Sequence, residues 1–362
     1  MTDEAAARVA QWVRPEIRAL SAYHVPDASG LIKLDAMENP YGWPDALRAE
    51  WSALARATGV NRYPDPRAQP LKDALRTAMG IPQAAGILLG NGSDEIIQLI
   101  ALALAGPERT VLSVEPGFVM YRMIATFVGM RYCGVPLRAG DFSLDLPALR
   151  AAIAAHRPAV VFLAQPNNPT GNCFDEAALV EIIEAAPGLV VIDEAYAPFT
   201  EASLLPRVGD WPNLVVMRTV SKMGLAGLRL GYLAGPAAWV DELDKLRLPY
   251  NVNVLTQRAA ELALRHKAVL DAQTAAIRAE RGRLFDALAA LPGVVPFPSE
   301  ANFILARMPA GRAAELFAAL RERGVLVKNL HGAHPLLADC LRVTVGTPEE
   351  NAAFVAALAA AL

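Results

Sequence analysis

The stretch LVVMRTVSKMGLAGLRLGY, residues 214–232, decides the reading of this chain. It opens on four consecutive apolar residues, 214–217. A run that is apolar at every position, rather than at every second one, marks a strand covered on both faces. A polar turn follows, then Lys222, then a glycine-rich segment. The same grammar recurs twice upstream: Val160–Ala164 leads into QPNNPTG (165–171), and 189–192 leads into DEAY (193–196). Helix-like patterns lie between these runs and before them, at 71–79, 94–105 and 176–185. Strands alternating with helices predict an α/β fold built on a mostly parallel sheet. Ligands of such sheets bind outside the carboxyl ends of the strands. Three polar clusters at three strand ends therefore predict one shared site.

Outward from this centre the chain changes character. After about residue 245 a long helical stretch (256–291) precedes the strand candidate ANFILARM (301–308), a helix (310–323), GVLVKN (324–329), LRVTVG (341–346) and an Ala-rich terminal helix. These predict a smaller α+β domain. The expected division is an N-terminal segment, 1–40, packing with the small domain; a large domain, 41–250; and the small domain, 251–362. With 362 residues, 54% of them hydrophobic, the chain can bury two lobes. A net charge of −3 supplies no basic field for nucleic acid. The apolar runs are too short for a bilayer, and the acidic N-terminus does not read as a signal peptide. Three cysteines without C-x-x-C spacing predict neither a disulfide framework nor a structural zinc site. A cytoplasmic enzyme is the expectation.

Only six lysines are present, and imine chemistry requires one. Lys72, Lys245 and Lys267 fall in amphipathic helical patterns, where a solvated face explains them. Lys33 and Lys328 flank short strands. Lys222 stands apart, at the end of a buried strand, where apolar walls lower an amine's pKa and make it a usable nucleophile. Asp193 ends a buried run too. Taken alone it reads as a helix cap; beside Lys222 it reads as the partner of a protonated pyridine nitrogen. Tyr196 and Asn168 are placed to reach that ring's phenolic oxygen, although an Asn-Pro turn is also simply a turn. In GNGSDEIIQLI, Gly92, Ser93 and Asp94 open a helix whose free amides suit a phosphate, with Ser221 and Arg229 adding a hydroxyl and a guanidinium. Without that phosphate, Asp94 reads as an N-cap. Phe118 fits either a ring-stacking wall or the core.

Taken together, SK followed by GLAGLRLGY, with NNPTG and DEAY upstream, resembles the fold-type I aminotransferases, which use pyridoxal 5'-phosphate. ENPYG (38–42), RYPDP (62–66) and CLRVTVGTPEEN (340–351) extend the likeness over nearly the whole chain. Within that group it is most similar to the histidinol-phosphate branch, by RPEIRALSAYHV (14–25), the RYPDP box and the ending LVKNLHGAHPLLADCLRVTVG (326–346). The resemblance implies a fold-type I architecture, with a large mostly parallel sheet domain flanked by helices and a smaller α+β domain. It implies that Lys222 carries the cofactor covalently and that Asp193 pairs with its ring nitrogen. Asn168 and Tyr196 would hold the phenolic oxygen, Phe118 would stack on the ring, and Gly92, Ser93, Asp94, Ser221 and Arg229 would bind the phosphate. A tyrosine like Tyr63 reaches the phosphate from the neighbouring subunit, which implies a homodimer. Arg342 would bind the acidic end of the substrate, with Tyr23 and Lys328 as further contacts. The implied substrates are histidinol phosphate and glutamate or 2-oxoglutarate, in histidine biosynthesis. An aromatic amino-acid aminotransferase and a threonine-phosphate decarboxylase share the fold and stay open as alternatives. Two departures stand out. Phe118 occupies a position that is often tyrosine, and seven positions separate Lys222 from Arg229, one fewer than in many aminotransferases, which implies a tighter loop. His331 and His334 form an H-x-x-H without a third ligand and read as loop residues, not a metal site.

Overall fold

The computed structural model describes residues 2–22 and 25–362. Its larger sheet has seven strands in the order Gly86–Gly90, Gly231–Gly235, Leu214–Thr219, Leu189–Asp193, Val160–Ala164, Thr110–Glu115 and Arg131–Pro136. Six run one way; Gly231–Gly235 alone is antiparallel to both of its neighbours. The continuous apolar runs have their explanation here. Val161, Leu163, Val190, Ile192 and Val216 pack into one core. The residues between them, Val160, Phe162, Leu189, Val191, Val215 and Met217, pack into a second core on the other face. Strand alternation sends neighbouring side chains to opposite faces, and both faces are dry.

Helices start where the sequence supplies an acceptor for their free amides. Asp145 accepts from the Ala148 amide and Asp175 from the Ala178 amide. Thr347 and Glu350 cap one another's backbone ahead of the terminal helix Pro348–Ala359. The helical stretch expected at 256–291 is two helices, Val254–Arg265 and Lys267–Ala289. His266 leaves helical geometry between them (φ −102°, ψ 28°), and its Nε2 lies 2.9 Å from Glu50 Oε2. The break lets the first helix pack on Gln69–Met79 while the second turns to the terminal helix. The segment GVLVKN, 324–329, holds two short strands, Val325–Leu326 and Lys328–Asn329, because the chain changes sheets at Val327.

The second sheet is antiparallel, in the order Lys328–Asn329, Cys340–Thr344, Phe303–Arg307 and Val295–Pro296, over its own core. Ile32–Lys33 runs parallel to Val325–Leu326. The chain after it is stitched to the same unit: the Met37 amide donates to Thr344 Oγ1 at 2.9 Å, and Asn302 Nδ2 donates to the Met37 carbonyl at 2.9 Å. The N-terminal 1–40 segment is thus split. Residues 32–37 join the small unit, whereas Pro15–Arg18 lies against the helix Val119–Val128 of the larger unit, where Arg14 Nη2 donates to the Phe127 carbonyl. No helix among the described residues is long and apolar enough to cross a membrane.

One close approach fixes the carboxyl edge of the large sheet. A Cβ on Gly231 would stand 2.7 Å from both the Gly92 carbonyl carbon and the Ser93 nitrogen. Only glycine lets the strand pass this near the loop that opens the helix Ser93–Ala103. Gly231→Ala is expected to lower unfolding stability by roughly 1–3 kcal/mol, as for other overpacked sites. A urea transition with an unchanged midpoint would show that the loop has room to give.

Candidate active site

Strand ends at the carboxyl edge deliver most of the site. Ala164, Asp193 and Thr219 are the last residues of three adjacent parallel strands, and all three line one cavity of about 390 Å³. Ser93, Asp94, Phe118, Asn168, Tyr196, Ser221, Lys222 and Arg229 line it as well. That volume falls within the range of small-molecule sites.

Lys222 sits in a 3-10 turn, Ser221–Met223, immediately after the strand Leu214–Thr219. Its Nζ donates to the Ala36 carbonyl at 3.3 Å and lies 5.9 Å from the centre of the Tyr196 ring. Burial, reinforced by the Arg342 cation, lowers its pKa to about 8. Asp193, 3% exposed, accepts from the Tyr121 hydroxyl at 2.7 Å and from the Ala195 amide at 3.1 Å. Burial pushes this carboxyl up to about 7, against the pull of the Tyr121 hydrogen bond. Asp193 caps no helix; its bond to Ala195 closes a local turn. Asn168 Nδ2 donates to Tyr196 Oη at 3.2 Å, and burial drives the Tyr196 phenol well above its usual range.

At the opposite end of the cavity, Gly92 holds the cap position of the helix Ser93–Ala103 at φ +79°, and no side chain caps the helix. Asp94 is therefore a first-turn residue, and its carboxylate meets Arg229 Nη2 at 3.4 Å. A Cβ on Gly92 would stand 2.7 Å from that same Nη2. The shortened Lys222–Arg229 loop consists of two 3-10 turns, Ser221–Met223 and Ala226–Leu228, with Arg229 in the left-handed region at φ +47°. Thr219 Oγ1 donates to Ser221 Oγ at 2.8 Å and fixes that hydroxyl.

Arg342 stands one hydrogen bond behind the cavity. Its Nη1 donates to Asn168 Oδ1 at 2.5 Å and its Nη2 to the Asp35 carbonyl at 3.0 Å. It faces an adjoining groove of about 720 Å³, which Lys328 and His334 also line. Tyr63 lies apart from both spaces, 80% exposed and stacked on Tyr250 with ring centres 4.5 Å apart. Tyr23 lies outside the described residues. His331 Nδ1 accepts from the Asp339 amide and His334 Nδ1 from the Leu336 amide, so both rings serve their loop.

The sequence reading passed over three features. Tyr121, in the first turn of the helix Val119–Val128 that follows Phe118, is bonded to Asp193, and no motif in the sequence marks it. Glu38, quoted only as part of ENPYG, lines the cavity and raises the proton affinity of Lys222. Glu194, beside Asp193, is fully buried and neutralised by Arg218 at 2.6 Å.

Residues 29–358 match the family of class I and II aminotransferases. A protein of Nitrosococcus oceani named histidinol-phosphate aminotransferase 2 is 57% identical over 353 residues, covering 98% of each chain. One of Ralstonia nicotianae, named histidinol-phosphate aminotransferase 1, is 58% identical over 97% of this chain and 94% of its own. The crystal structure of histidinol-phosphate aminotransferase from Sinorhizobium meliloti, solved in complex with pyridoxal-5'-phosphate, superimposes with a TM-score of 0.84 at 26% identity, covering 97% of each chain. This chain belongs to the class I and II aminotransferases.

An amine with a pKa near 8 reacts at a lower pH than an ordinary lysine. In cofactor-free protein, acylation of Lys222 followed by peptide mass spectrometry is expected to rise with pH through about 8. Arg342→Ala removes a neighbouring cation and should move the midpoint upward. A Lys222 midpoint at the usual lysine value of about 10.4 would contradict the geometry.

Proposed function

We propose that this chain is a pyridoxal-phosphate-dependent transaminase that exchanges an amino group between histidinol phosphate and 2-oxoglutarate, giving imidazole-acetol phosphate and glutamate in histidine biosynthesis. The observation that carries the chemistry is the pairing, in one cavity, of a buried amine with lowered pKa and a buried carboxyl with raised pKa. The donor set suits each part of the cofactor: Lys222 for the aldehyde, Asp193 for the ring nitrogen, and the uncapped helix start at Ser93 for the phosphate. Likeness over nearly the full length, at 57% and 58% identity, to relatives named for histidinol phosphate supports the choice of substrate.

When bound, pyridoxal phosphate supplies a carbonyl that accepts an amino group and a ring that spreads the charge left at the substrate's α-carbon. Lys222 Nζ, partly neutral at neutral pH, holds the cofactor and then takes the proton from the substrate's α-carbon. Asp193 holds negative charge opposite the ring nitrogen. Asn168 and Tyr196 orient the phenolic oxygen, and Phe118 walls one side of the ring. Gly92, Ser93 and Asp94 offer backbone amides to the phosphate, while Ser221 and Arg229 add side-chain donors. Arg342 holds the acidic group of the substrate, carboxylate or phosphate, with Lys328 and Tyr23 as further contacts. Because Arg342 also holds Asn168, substrate anion and cofactor oxygen are linked through one side chain. Both half-reactions use one site, so ping-pong kinetics follow.

The reading includes a cytoplasmic homodimer. Val60, Tyr63 and Leu248 are more than 70% exposed, apolar surface of the kind a partner covers. In that homodimer Tyr63 reaches the phosphate of the neighbouring subunit. We also take 41–250 and 251–362, with the 1–40 segment, as the working domain division.

Arg342→Ala is expected to weaken glutamate and histidinol phosphate by about 2–5 kcal/mol, as when one partner of a buried charge pair is truncated. Bound cofactor, followed by its absorbance, should be retained; loss of cofactor would place Arg342 in the cofactor site instead. Among amino donors, histidinol phosphate should outrun phenylalanine and aspartate in steady-state assays. An inert histidinol phosphate would remove the substrate assignment, and carbon dioxide release from threonine phosphate would favour decarboxylation.

A further inference from the structure

We infer that Tyr121 is a positioning residue for the ring-binding end of the site, its hydroxyl holding the Asp193 carboxylate ionised and turned to the cavity; this rests on the role proposed above for Asp193. Tyr121 comes from the helix Val119–Val128, and Asp193 from the strand end Leu189–Asp193. The two meet at 2.7 Å, and Asp193 lines the cavity while Tyr121 does not.

Tyr121 has no freedom to play another part. It is 1% exposed, its ring lies nearly parallel to Phe162 (centres 4.8 Å apart, planes 10° apart), and Phe118 meets it edge-on at 5.4 Å. Packing alone does not call for the hydroxyl, since a phenylalanine fills the same space. Among the described residues the hydroxyl donates to Asp193 Oδ2, while Oδ1 takes the Ala195 amide. Carboxylate oxygens accept more than one donor each, so capacity remains for a cation on the cavity side.

The need for such a donor follows from the surrounding charges. Just past the end of its strand, Glu194 opposes ionisation of Asp193, with Arg218 beside Glu194 as compensation. From the helix start across the cavity, Asp94 opposes it too, itself facing Arg229. Tyr196 and Lys222 face the same space, the former as a neutral phenol. Burial already favours the neutral carboxyl, and the Tyr121 hydrogen bond is the largest influence in the other direction. Charge-assisted hydrogen bonds of this kind are among the stronger ones. Phe118, the ring wall, leans on the same tyrosine, so one residue sets both the carboxylate and the aromatic surface.

The test uses pyridoxamine 5'-phosphate, which has the cofactor's ring and phosphate but no aldehyde for Lys222. Its equilibrium binding to cofactor-free protein is followed by fluorescence between pH 5.5 and 9, for wild type, Tyr121→Phe and Asp193→Asn. Tyr121 favours the ionised carboxylate, so removing its hydroxyl raises the Asp193 midpoint. Affinity that requires ionised Asp193 is then lost at a higher pH than in wild type, and at pH 7 the dissociation constant rises about tenfold. Replacing Tyr121 with difluorotyrosine, a stronger donor that keeps the ring, should move the midpoint down. Binding curves for Tyr121→Phe and the difluoro variant that both superimpose on wild type, while Asp193→Asn binds poorly, overturn the inference and leave the role of Asp193 standing. If Asp193→Asn binds as wild type does, the proposed role of Asp193 fails first.

Discussion

Dehydration of one amine and one carboxyl is the constraint on which the rest of this structure depends. In water Lys222 and Asp193 would both be charged and chemically quiet at neutral pH. At the carboxyl edge of the sheet, burial moves them toward neutrality from opposite sides, the amine down to about 8 and the carboxyl up to about 7. The sheet makes this possible by keeping both faces dry. Its strand ends bring Asp193 and the turn holding Lys222 to adjacent places, because the two strands pair in parallel from Val190–Leu214 through Asp193–Met217. A catalytic base needs a pKa near the working pH, and a charge partner for a ring nitrogen needs a carboxylate that water does not screen. One environment meets both needs.

The small unit is wired into this site rather than merely placed beside it. After pairing with Val325–Leu326 through Ile32–Lys33, the chain brings the Ala36 carbonyl to Lys222, while the Asp35 carbonyl receives Arg342. Arg342 in turn holds Asn168, which holds Tyr196. The same guanidinium lowers the proton affinity of Lys222. An anion bound to Arg342 would offset its charge and so raise that affinity, which readies the amine to take up a proton when a substrate is in place.

Much of this was legible from the sequence because its causes are local. Consecutive apolar residues ending in SK, NNP and DEAY report a buried parallel sheet and its carboxyl edge, and nine of the expected site residues do line one cavity. What was not legible depends on tertiary contacts. The break at His266 has no proline or glycine to announce it; it follows from packing against two different neighbours. Tyr121 sits in no recognisable motif, and its bond to Asp193 joins residues 72 positions apart. The change of sheet at Val327 is equally invisible in an unbroken apolar run. Arg229 tested the reading most, since a shorter loop still reaches the cavity only by adopting a left-handed backbone that arginine seldom takes.

The most direct measurement is reduction of the protein with borohydride in the presence of pyridoxal phosphate, followed by peptide mapping. The account requires a yellow complex whose reduced label falls on Lys222 alone among the six lysines. A colourless mixture, or a label on another lysine with Lys222 unmodified, would contradict it.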